Sequence, residues 1–194
     1  FAYDPSFMRD FLSYNLSRQI GDYAPRLVYR EVVLNGEYVG LYALQEKLKS
    51  NSDRINILKI TSSDVSLPNV TGGYITKADK TTGGDPVAWT MFSNIGSTDF
   101  IHELPKPASV TLEQNEYIKG EFLKLDSNSG NSDFITGYPS VIDVPSFIDF
   151  MLLSELSSNV DSYQFSTFFH KDRNGKLRAG PIWDYNLTYG KITY

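Results

Sequence analysis

Two aspartates lie at the two ends of a predicted β-hairpin near the end of the sequence. Asp161 precedes one strand-like segment and Asp184 ends the next, and the Asn-Gly pair at 174–175 is a strong hairpin-turn signal. A hairpin returns the chain to its starting point, so both carboxylates are expected at one place. Ser166 follows the first by five residues and Asn186 follows the second by two. This oxygen-rich set is typical of sites that hold Mg²⁺ for phosphoryl transfer.

A helix is predicted directly before the first of these aspartates. Asp143 suits the N-cap, Pro145 suits the first turn, and apolar residues then recur with the spacing of one buried face. The residues predicted to form that face are Phe147, Ile148, Met151, Leu152 and Leu156. An aspartate taken alone is more often a solvated turn residue. The order of buried helix, Asp161, hairpin and Asp184, however, is that of the C-terminal lobe of protein kinases.

The rest of the chain predicts a mixed helix and strand domain without internal repeats. Asp4 opens a helix expected to end near Gly21, and the pair Asn35-Gly36 joins two strands. Thr111 and Gln114 match a capping box at the start of another helix. The first helix is expected to bury Phe7, Met8, Phe11, Leu12 and Leu16; the predicted strands are 26–34, 37–45, 53–60 and 73–78.

Length and composition exclude several classes of protein. The 194 residues, 41% of them hydrophobic, are enough for one core, and the start at Phe1 suggests a piece of a longer chain. The net charge of −5 argues against a nucleic-acid partner, and no apolar run is long enough to span a membrane. Cysteine is absent, which removes thiol chemistry and fits either a cytoplasmic or a bacterial extracytoplasmic setting.

The sequence resembles the spore-coat protein H (CotH) family of kinase-like proteins. The resemblance rests on ELSSNVDSYQFSTFFHKD at 155–172, GKLRAGPIWDYNLTYG at 175–190, VVLNGEYVGLYALQEKLK at 32–49 and GGYITKADK at 72–80. It implies an α+β, atypical protein-kinase-like fold in a truncated single domain, 1–194. Within that domain, the N-terminal hairpin region would cover about 22–80 and the helical C-terminal lobe about 105–194.

The resemblance also implies a function and assigns roles to residues. The expected activity is phosphorylation of Ser or Thr in partner proteins with ATP and Mg²⁺, or Mn²⁺ in its place. Asp161 resembles the catalytic base and Asp184 the principal metal ligand, with Ser166 and Asn186 completing the metal site. Many family members carry Asn and Asp at the positions of Ser166 and Asn186. Two neutral ligands in their place imply weaker binding of a hard cation.

Three further residues are candidates for nucleotide contact through the resemblance. Glu46 and Lys47 end the second strand of the first hairpin, and Lys77 lies in GGYITKADK. Adjacent strand residues point to opposite faces, so Glu46 is favoured as the inward member and Lys77 as the alternative cation. Ordinary surface charges explain these residues equally well.

Two other kinds of function remain open at the level of sequence. One is a non-catalytic module of an extracellular or surface assembly that keeps the fold without turnover. The other is a glycosidase built on the paired carboxylates, although no motif supports it. The two histidines, His102 and His170, form no zinc motif. The expected partners are therefore a nucleotide and a substrate or assembly protein, and the expected location is bacterial extracytoplasmic.

Overall fold

Four α-helices and seven β-strands form the part of the chain that the computed structural model describes, residues 3–94 and 96–190. The helices are α1 (Arg9–Gln19), α2 (Leu112–Asn128), α3 (Tyr138–Val141) and α4 (Val144–Ser157). The strands are β1 (Leu27–Leu34), β2 (Glu37–Gln45), β3 (Tyr74–Ala78), β4 (Trp89–Ser93), β5 (Gly96–Leu104), β6 (Thr167–Lys171) and β7 (Arg178–Ala179). Both ends of the predicted domain, residues 1–2 and 191–194, lie outside the described residues.

The strands form two separate antiparallel sheets. β1 and β2 pair only with each other among the described strands, whereas the second sheet has the order β4-β5-β3-β6-β7. In its centre β3 pairs with β6, with Lys77 opposite Phe168 and Ala78 opposite Thr167. This sheet therefore joins the first predicted region to the second. The mixture of helices with antiparallel sheets confirms the α+β class.

The five-stranded sheet buries side chains on both faces. On one face, Tyr74 and Ala78 pack with Ile118 and Phe122 of α2 in a common cluster. Thr111 begins α2 with the predicted capping box, since its side chain accepts from the backbone N–H of Gln114. On the other face, Ile75 and Phe168 pack with Leu48, Ile55 and Ile57. None of the helices in the described ranges is long and apolar enough to cross a bilayer.

Both Asn-Gly hairpins were predicted correctly, and so was β3, expected at 73–78 and observed at Tyr74–Ala78, but the other strands between them were not. The turns lie where expected: Asn35 and Gly36 both have positive φ, whereas in the second turn Asn174 alone of the pair does, and Gly175 N–H donates to the Asp172 carbonyl at 3.1 Å. The segment 53–60 forms no strand; it contributes only one bridge, between Ser50 and Ile55. β4 and β5 were missed; they pair with each other, with Ser93 opposite Gly96, and only β5 also pairs with β3.

The predicted buried face of α4 is only partly right, because Phe147 packs against the core and the other predicted residues do not. Asp143 does cap the helix, through its side chain and Ser146 N–H at 3.1 Å. However, Ile148, Met151, Leu152 and Leu156 are exposed, and the buried residues are Ser146, Phe150, Leu153, Ser154 and Ser157. Apolar residues occur on nearly every side of this helix, so the 3.6-residue period does not select one face.

The predicted buried face of α1 is likewise only partly right, because Phe11 and Leu16 pack against a core cluster. Met8 and Leu12 are 49% and 43% exposed, whereas the buried residues are polar: Asp10, Ser13, Tyr14 and Ser17. The backbone of residues 184–189, which lies against this face, presents N–H groups and carbonyls. Buried backbone groups require hydrogen-bond partners, so the polar side of α1 is the side that packs.

Candidate functional site

The β6–β7 hairpin is fixed at its turn by close packing against another segment. Its turn approaches the backbone of Gly72 so closely that a Cβ there would lie 2.0 Å from the carbonyl carbon of Asp172. Thr71 Oγ1 accepts from Asn174 N–H at 2.9 Å on the same side. These contacts hold the closed end of the hairpin, and the open end carries the predicted site residues.

Asp184 follows the second strand and begins a 3₁₀ turn, Tyr185–Leu187. Its φ of 58° lies in the left-handed region, which is uncommon for a residue with a Cβ. Asn186 Nδ2 donates to Asp184 Oδ1 at 2.5 Å. Burial raises the pKa of Asp184, and the nearby carboxylates of Asp161 and Asp79 raise it further. The structure thus brings the two predicted aspartates into electrostatic contact.

Asp161 lies in the turn after α4, four residues beyond its last residue, Ser157. The carbonyl of Asp161 accepts from Phe165 N–H at 2.8 Å, which bends the chain toward β6. Its carboxylate is 4.0 Å from Lys80 Nζ, and the same ammonium lies 4.2 Å from the centre of the Phe165 ring. Lys80, which the sequence analysis did not identify, is therefore the nearest described cation to the candidate base.

Asp79 is a third acidic residue of the site and was also missed. It follows β3, and its Oδ1 accepts from Ser166 N–H at 3.3 Å. Ser166 has a φ of 49°, and this bond links it directly to the acidic residues. Asp79, Asp161 and Asp184 are called the acidic cluster below. The acidic residue of the motif GGYITKADK was the available signal, because it lies two positions after Lys77.

Lys77 lies beside the acidic cluster. Its Nζ is 3.5 Å from Asp79 Oδ2 and 3.3 Å from Asp85 Oδ2. The side chain is 15% exposed, so most of its stem is covered and its ammonium is held between two carboxylates. This predicted nucleotide contact therefore lies with the aspartates.

Glu46 has different partners. Its Oε1 is 2.6 Å from Arg26 Nη2 and 3.8 Å from Arg54 Nε. Burial acts to raise the pKa of Glu46, but the hydrogen bonds and charges of Arg26 and Arg54 hold it below its ordinary value. The adjacent Lys47 is exposed. The structure thus places Glu46 in a network with arginines, and nucleotide contact by Glu46 and Lys47 stays a prediction.

A buried carboxylate, Asp10 of α1, lies behind the loop that carries Asp184. Asp10 Oδ1 accepts from Tyr185 N–H at 2.6 Å. Burial raises the pKa of Asp10 to about 6, and the charge of Asp184 contributes to the increase. Sequence reasoning missed this residue, because the helix was expected to bury its apolar side.

The oxygen donors at the open end fit a divalent cation of the magnesium type. Asp184 supplies an anionic oxygen, while the Asn186 amide and the Ser166 hydroxyl are neutral hard donors. Mutual repulsion among the acidic cluster is relieved by a positive charge. Within residues 3–94 and 96–190, no three acidic, histidine or cysteine side chains form a metal-holding group. A cation here would therefore share its coordination with phosphate oxygens and water, as Mg²⁺ commonly does.

A cavity of about 450 Å³ opens elsewhere on the hairpin, between it, α1 and α4. Its charged lining includes Asp22, Asp143 and Arg178, and Arg178 Nη1 lies 3.1 Å from Asp143 Oδ2. No member of the acidic cluster lines this cavity. The cavity is therefore distinct from the acidic cluster.

Comparison with known protein families gives one match. The family model described as CotH kinase protein matches residues 2–194, nearly the whole chain. No curated protein matches the sequence.

Proposed function

Because the chain belongs to the CotH kinase protein family, we propose that it is an atypical protein kinase that uses Mg²⁺-ATP to phosphorylate Ser or Thr of partner proteins. The observation that carries this proposal is the position of Asp161 and Asp184 at the open end of one hairpin, where the charge of Asp161 helps to raise the pKa of Asp184. The proposal includes a kinase-like fold for the α+β domain. It also includes the two regions 22–80 and 105–194 as the counterparts of kinase lobes.

Asp184 would hold the metal through its carboxylate. Asn186 and Ser166 would complete the protein's share of the coordination through neutral oxygens. Bound Mg²⁺, or Mn²⁺, supplies positive charge that neutralises phosphate oxygens and the charge developing during transfer. The raised pKa of Asp184 follows first from burial and then from Asp161 and Asp79, and a cation favours its ionised form.

Asp161 would act on the substrate hydroxyl. The hydroxyl oxygen forms a bond to the γ-phosphorus while the bond from that phosphorus to the β–γ bridging oxygen breaks, leaving ADP. The hydroxyl proton passes to the Asp161 carboxylate. The side chain of Asp161 is 20% exposed, so an incoming substrate can reach it. Positioning and charge neutralisation then supply most of the catalysis.

Lys77 and Lys80 would contact the phosphates. Lys77 is held between Asp79 and Asp85, and Lys80 lies beside Asp161, so both ammonium groups already border the acidic cluster. A positioned cation offsets nucleotide charge in phosphoryl transfer. Glu46 and Lys47 remain predicted contacts that would require a rearrangement of the pair between Glu46 and Arg26.

The proposal assigns two partners, a nucleotide and a protein substrate, and an extracytoplasmic location on or outside a bacterial cell. The support for the location is the family assignment. The support for a protein substrate is the family assignment alone.

The decisive experiment measures binding and transfer together. Thermal shifts with ATP plus Mg²⁺, and with ATP plus a chelator, should differ in the wild type, because Asp184 cannot approach phosphates without a cation between them. Asp184→Asn should lose the Mg²⁺-dependent shift, and Asp126→Asn, which removes an exposed carboxylate from α2, should keep it. Equal shifts with metal and with chelator would reject Asp184 as a metal ligand. A wild type that transfers no phosphate to itself or to Ser-rich proteins would favour the non-catalytic module.

A further inference from the structure

Four residues on one face of helix α1 contact the loop that follows β7. Arg9, Asp10, Ser13 and Tyr14 have the spacing of one helix face. Ser13 Oγ lies 3.3 Å from Tyr189 Oη, and the other three residues contact the backbone of residues 184–186. A helix from the beginning of the chain thus binds the loop that carries the candidate metal ligand.

Three successive residues of the loop are each bound to α1. Tyr14 Oη accepts from Asp184 N–H at 3.1 Å, and Asp10 Oδ1 accepts from Tyr185 N–H at 2.6 Å. Arg9 Nη1 donates to the carbonyl of Asn186 at 3.0 Å. These bonds fix the backbone on both sides of the Asp184 side chain, and the direction of that side chain follows from the backbone.

The hydroxyl of Tyr14 accepts two hydrogen bonds from different elements. It accepts from Asp184 N–H and from Gln45 Nε2, each at 3.1 Å. Tyr14 is only 1% exposed, so these bonds are shielded from water. Gln45 is the last residue of β2. One hydroxyl therefore connects α1, the first hairpin and the Asp184 loop.

The backbone conformation of Asp184 explains why these hydrogen bonds are needed. A left-handed φ of 58° is unfavourable for aspartate without local support. The bond from Asp184 N–H to Tyr14 is made at that very residue. Loss of the bond would let the backbone relax and turn the carboxylate away from Asn186, which lies 2.5 Å from it.

We propose that Tyr14 is a positioning residue that holds Asp184 ready for the metal, and that Gln45 couples the first hairpin to this position. The proposal deepens the kinase function and rests on it for the role of Asp184 as a metal ligand. The positioning itself concerns the protein without metal or nucleotide. It can therefore be tested even where no phosphate is transferred.

The first test is Tyr14→Phe, which keeps the ring and removes the hydroxyl. Tyr74→Phe is the matched control, since Tyr74 is 0% exposed and its hydroxyl makes one bond, to the Val70 carbonyl at 2.8 Å. In metal-free protein, amide hydrogen exchange over 184–187 should become faster by about tenfold in Tyr14→Phe only. Faster exchange that is equal in both variants, or unchanged exchange in Tyr14→Phe, would overturn the proposal.

The second test is Gln45→Leu, which removes the contact from β2 and leaves α1 intact. Exchange over 184–187 should become faster by a smaller factor, and the effect in a Tyr14→Phe/Gln45→Leu double variant should be less than additive. If Tyr14→Phe does not fold, Gln45→Leu decides: exchange at the wild-type rate overturns the coupling.

Calorimetry with Mg²⁺ and saturating ATP separates the proposal from the function. Tyr14→Phe should weaken Mg²⁺ binding about fivefold to tenfold, while Tyr74→Phe should bind as the wild type does. Faster exchange in Tyr14→Phe, combined with no Mg²⁺ binding in the wild type, would reject the metal-dependent function and leave the positioning of Asp184 intact. Unchanged Mg²⁺ affinity in Tyr14→Phe, with binding in the wild type, would overturn the role of Tyr14.

Discussion

Two hairpins of this protein, β1–β2 and β6–β7, contain the same Asn-Gly turn signal and have different surroundings. Each is turned by an Asn-Gly pair, yet β1 and β2 form their own sheet, while β6 and β7 extend a five-stranded one. In the first hairpin Val33, Leu34 and Tyr38 are all more than 60% exposed; in the second, Phe168 is 5% exposed. Only the second places its flanking residues in the acidic cluster.

This difference shows what a turn signal can and cannot establish. An Asn-Gly pair determines local chain reversal, because both residues accept positive φ. The environment of a hairpin depends on which strands pair with its edges, and those strands can lie anywhere in the chain. The chemistry of the second hairpin comes from its pairing with β3, which delivers Lys77 and Asp79 to the same place.

The largest expected effect is on catalysis at the second hairpin. Asp161→Asn should lower phosphoryl transfer by about 10²- to 10⁴-fold, since it removes the acceptor of the hydroxyl proton. Affinity for Mg²⁺-ATP should remain close to that of the wild type. Transfer rates and nucleotide binding measure both quantities. Glu37→Gln, which removes an exposed carboxylate from the first hairpin, is the control and should transfer at the wild-type rate. Equal losses in the two variants would remove the distinction between the hairpins.

The next effect is on stability and compares burial in the two hairpins directly. Phe168→Ala should lower the free energy of unfolding by about 3–5 kcal/mol, because it leaves a cavity against Ile75. Tyr38→Ala, at a position 63% exposed, should cost less than about 1 kcal/mol. Urea denaturation measures both values. Similar losses in the free energy of unfolding would mean that the exposed side of the first hairpin is covered by a partner in solution.

A third effect is a pH dependence with opposite sign in the two regions. The pKa of Asp10 is raised, chiefly by burial, to about 6, so the folded protein holds this proton more tightly than the unfolded chain. Its contribution to stability therefore falls as pH rises from about 4 to about 6, by about 2–3 kcal/mol. Asp10→Asn removes this dependence. Urea denaturation in the presence of a chelator should show that the free energy of unfolding of the variant rises relative to that of the wild type as pH increases across this range.

Glu46, beside the first hairpin, provides the contrast. Its pKa is lowered by Arg26 and Arg54 against the opposing effect of burial. Its contribution to stability is therefore present above the unfolded pKa and is lost as pH falls through the folded value. As pH rises over the acid range, the free energy of unfolding of Glu46→Gln should fall relative to that of the wild type. This is the reverse of the change expected for Asp10→Asn. If the stability of both variants changed in the same direction with pH, relative to the wild type, either the raised pKa of Asp10 or the lowered pKa of Glu46 would be wrong.

The smallest effect concerns Asn186, the proposed neutral ligand beside Asp184. Asn186→Asp should tighten Mg²⁺ binding by about 1 kcal/mol, because an anionic oxygen replaces an amide oxygen. Asn35→Asp adds the same charge at the turn of the first hairpin, where aspartate is also a favoured residue, and should leave Mg²⁺ binding unchanged. Calorimetry with saturating nucleotide measures both affinities. Unchanged or weaker binding in Asn186→Asp would mean that this side chain points away from the metal.

Local chemistry in the sequence predicted the features that depend on neighbouring residues. The turns at 35–36 and 174–175, the capping box of α2 and the Asp143 cap of α4 all follow from such short-range rules. The convergence of Asp161 and Asp184 was likewise predictable, since a hairpin brings its own ends together.

Features that depend on distant partners were not predictable in this way. The polar face of α1 is buried because the backbone of 184–186 requires hydrogen bonds, and nothing near Asp10 in sequence indicates this. Asp79 was missed because its place in the site depends on the pairing of β3 with β6. Glu46 pairs with Arg26 beside the start of β1 and also with Arg54, and the position of Arg54 depends on an irregular segment that was expected to be a strand.

The pairing of β3 with β6 also has a consequence for how the chain folds. Partners such as Ala78 and Thr167 are about ninety residues apart, so this contact requires closure of a long loop. Contacts of this kind form slowly, and until they form, one edge of β3 stays open to pairing with other chains. During synthesis β3 is complete well before β6 emerges. We therefore expect the acidic cluster to assemble in the step that closes the sheet, with aggregation as the main competing reaction before that step.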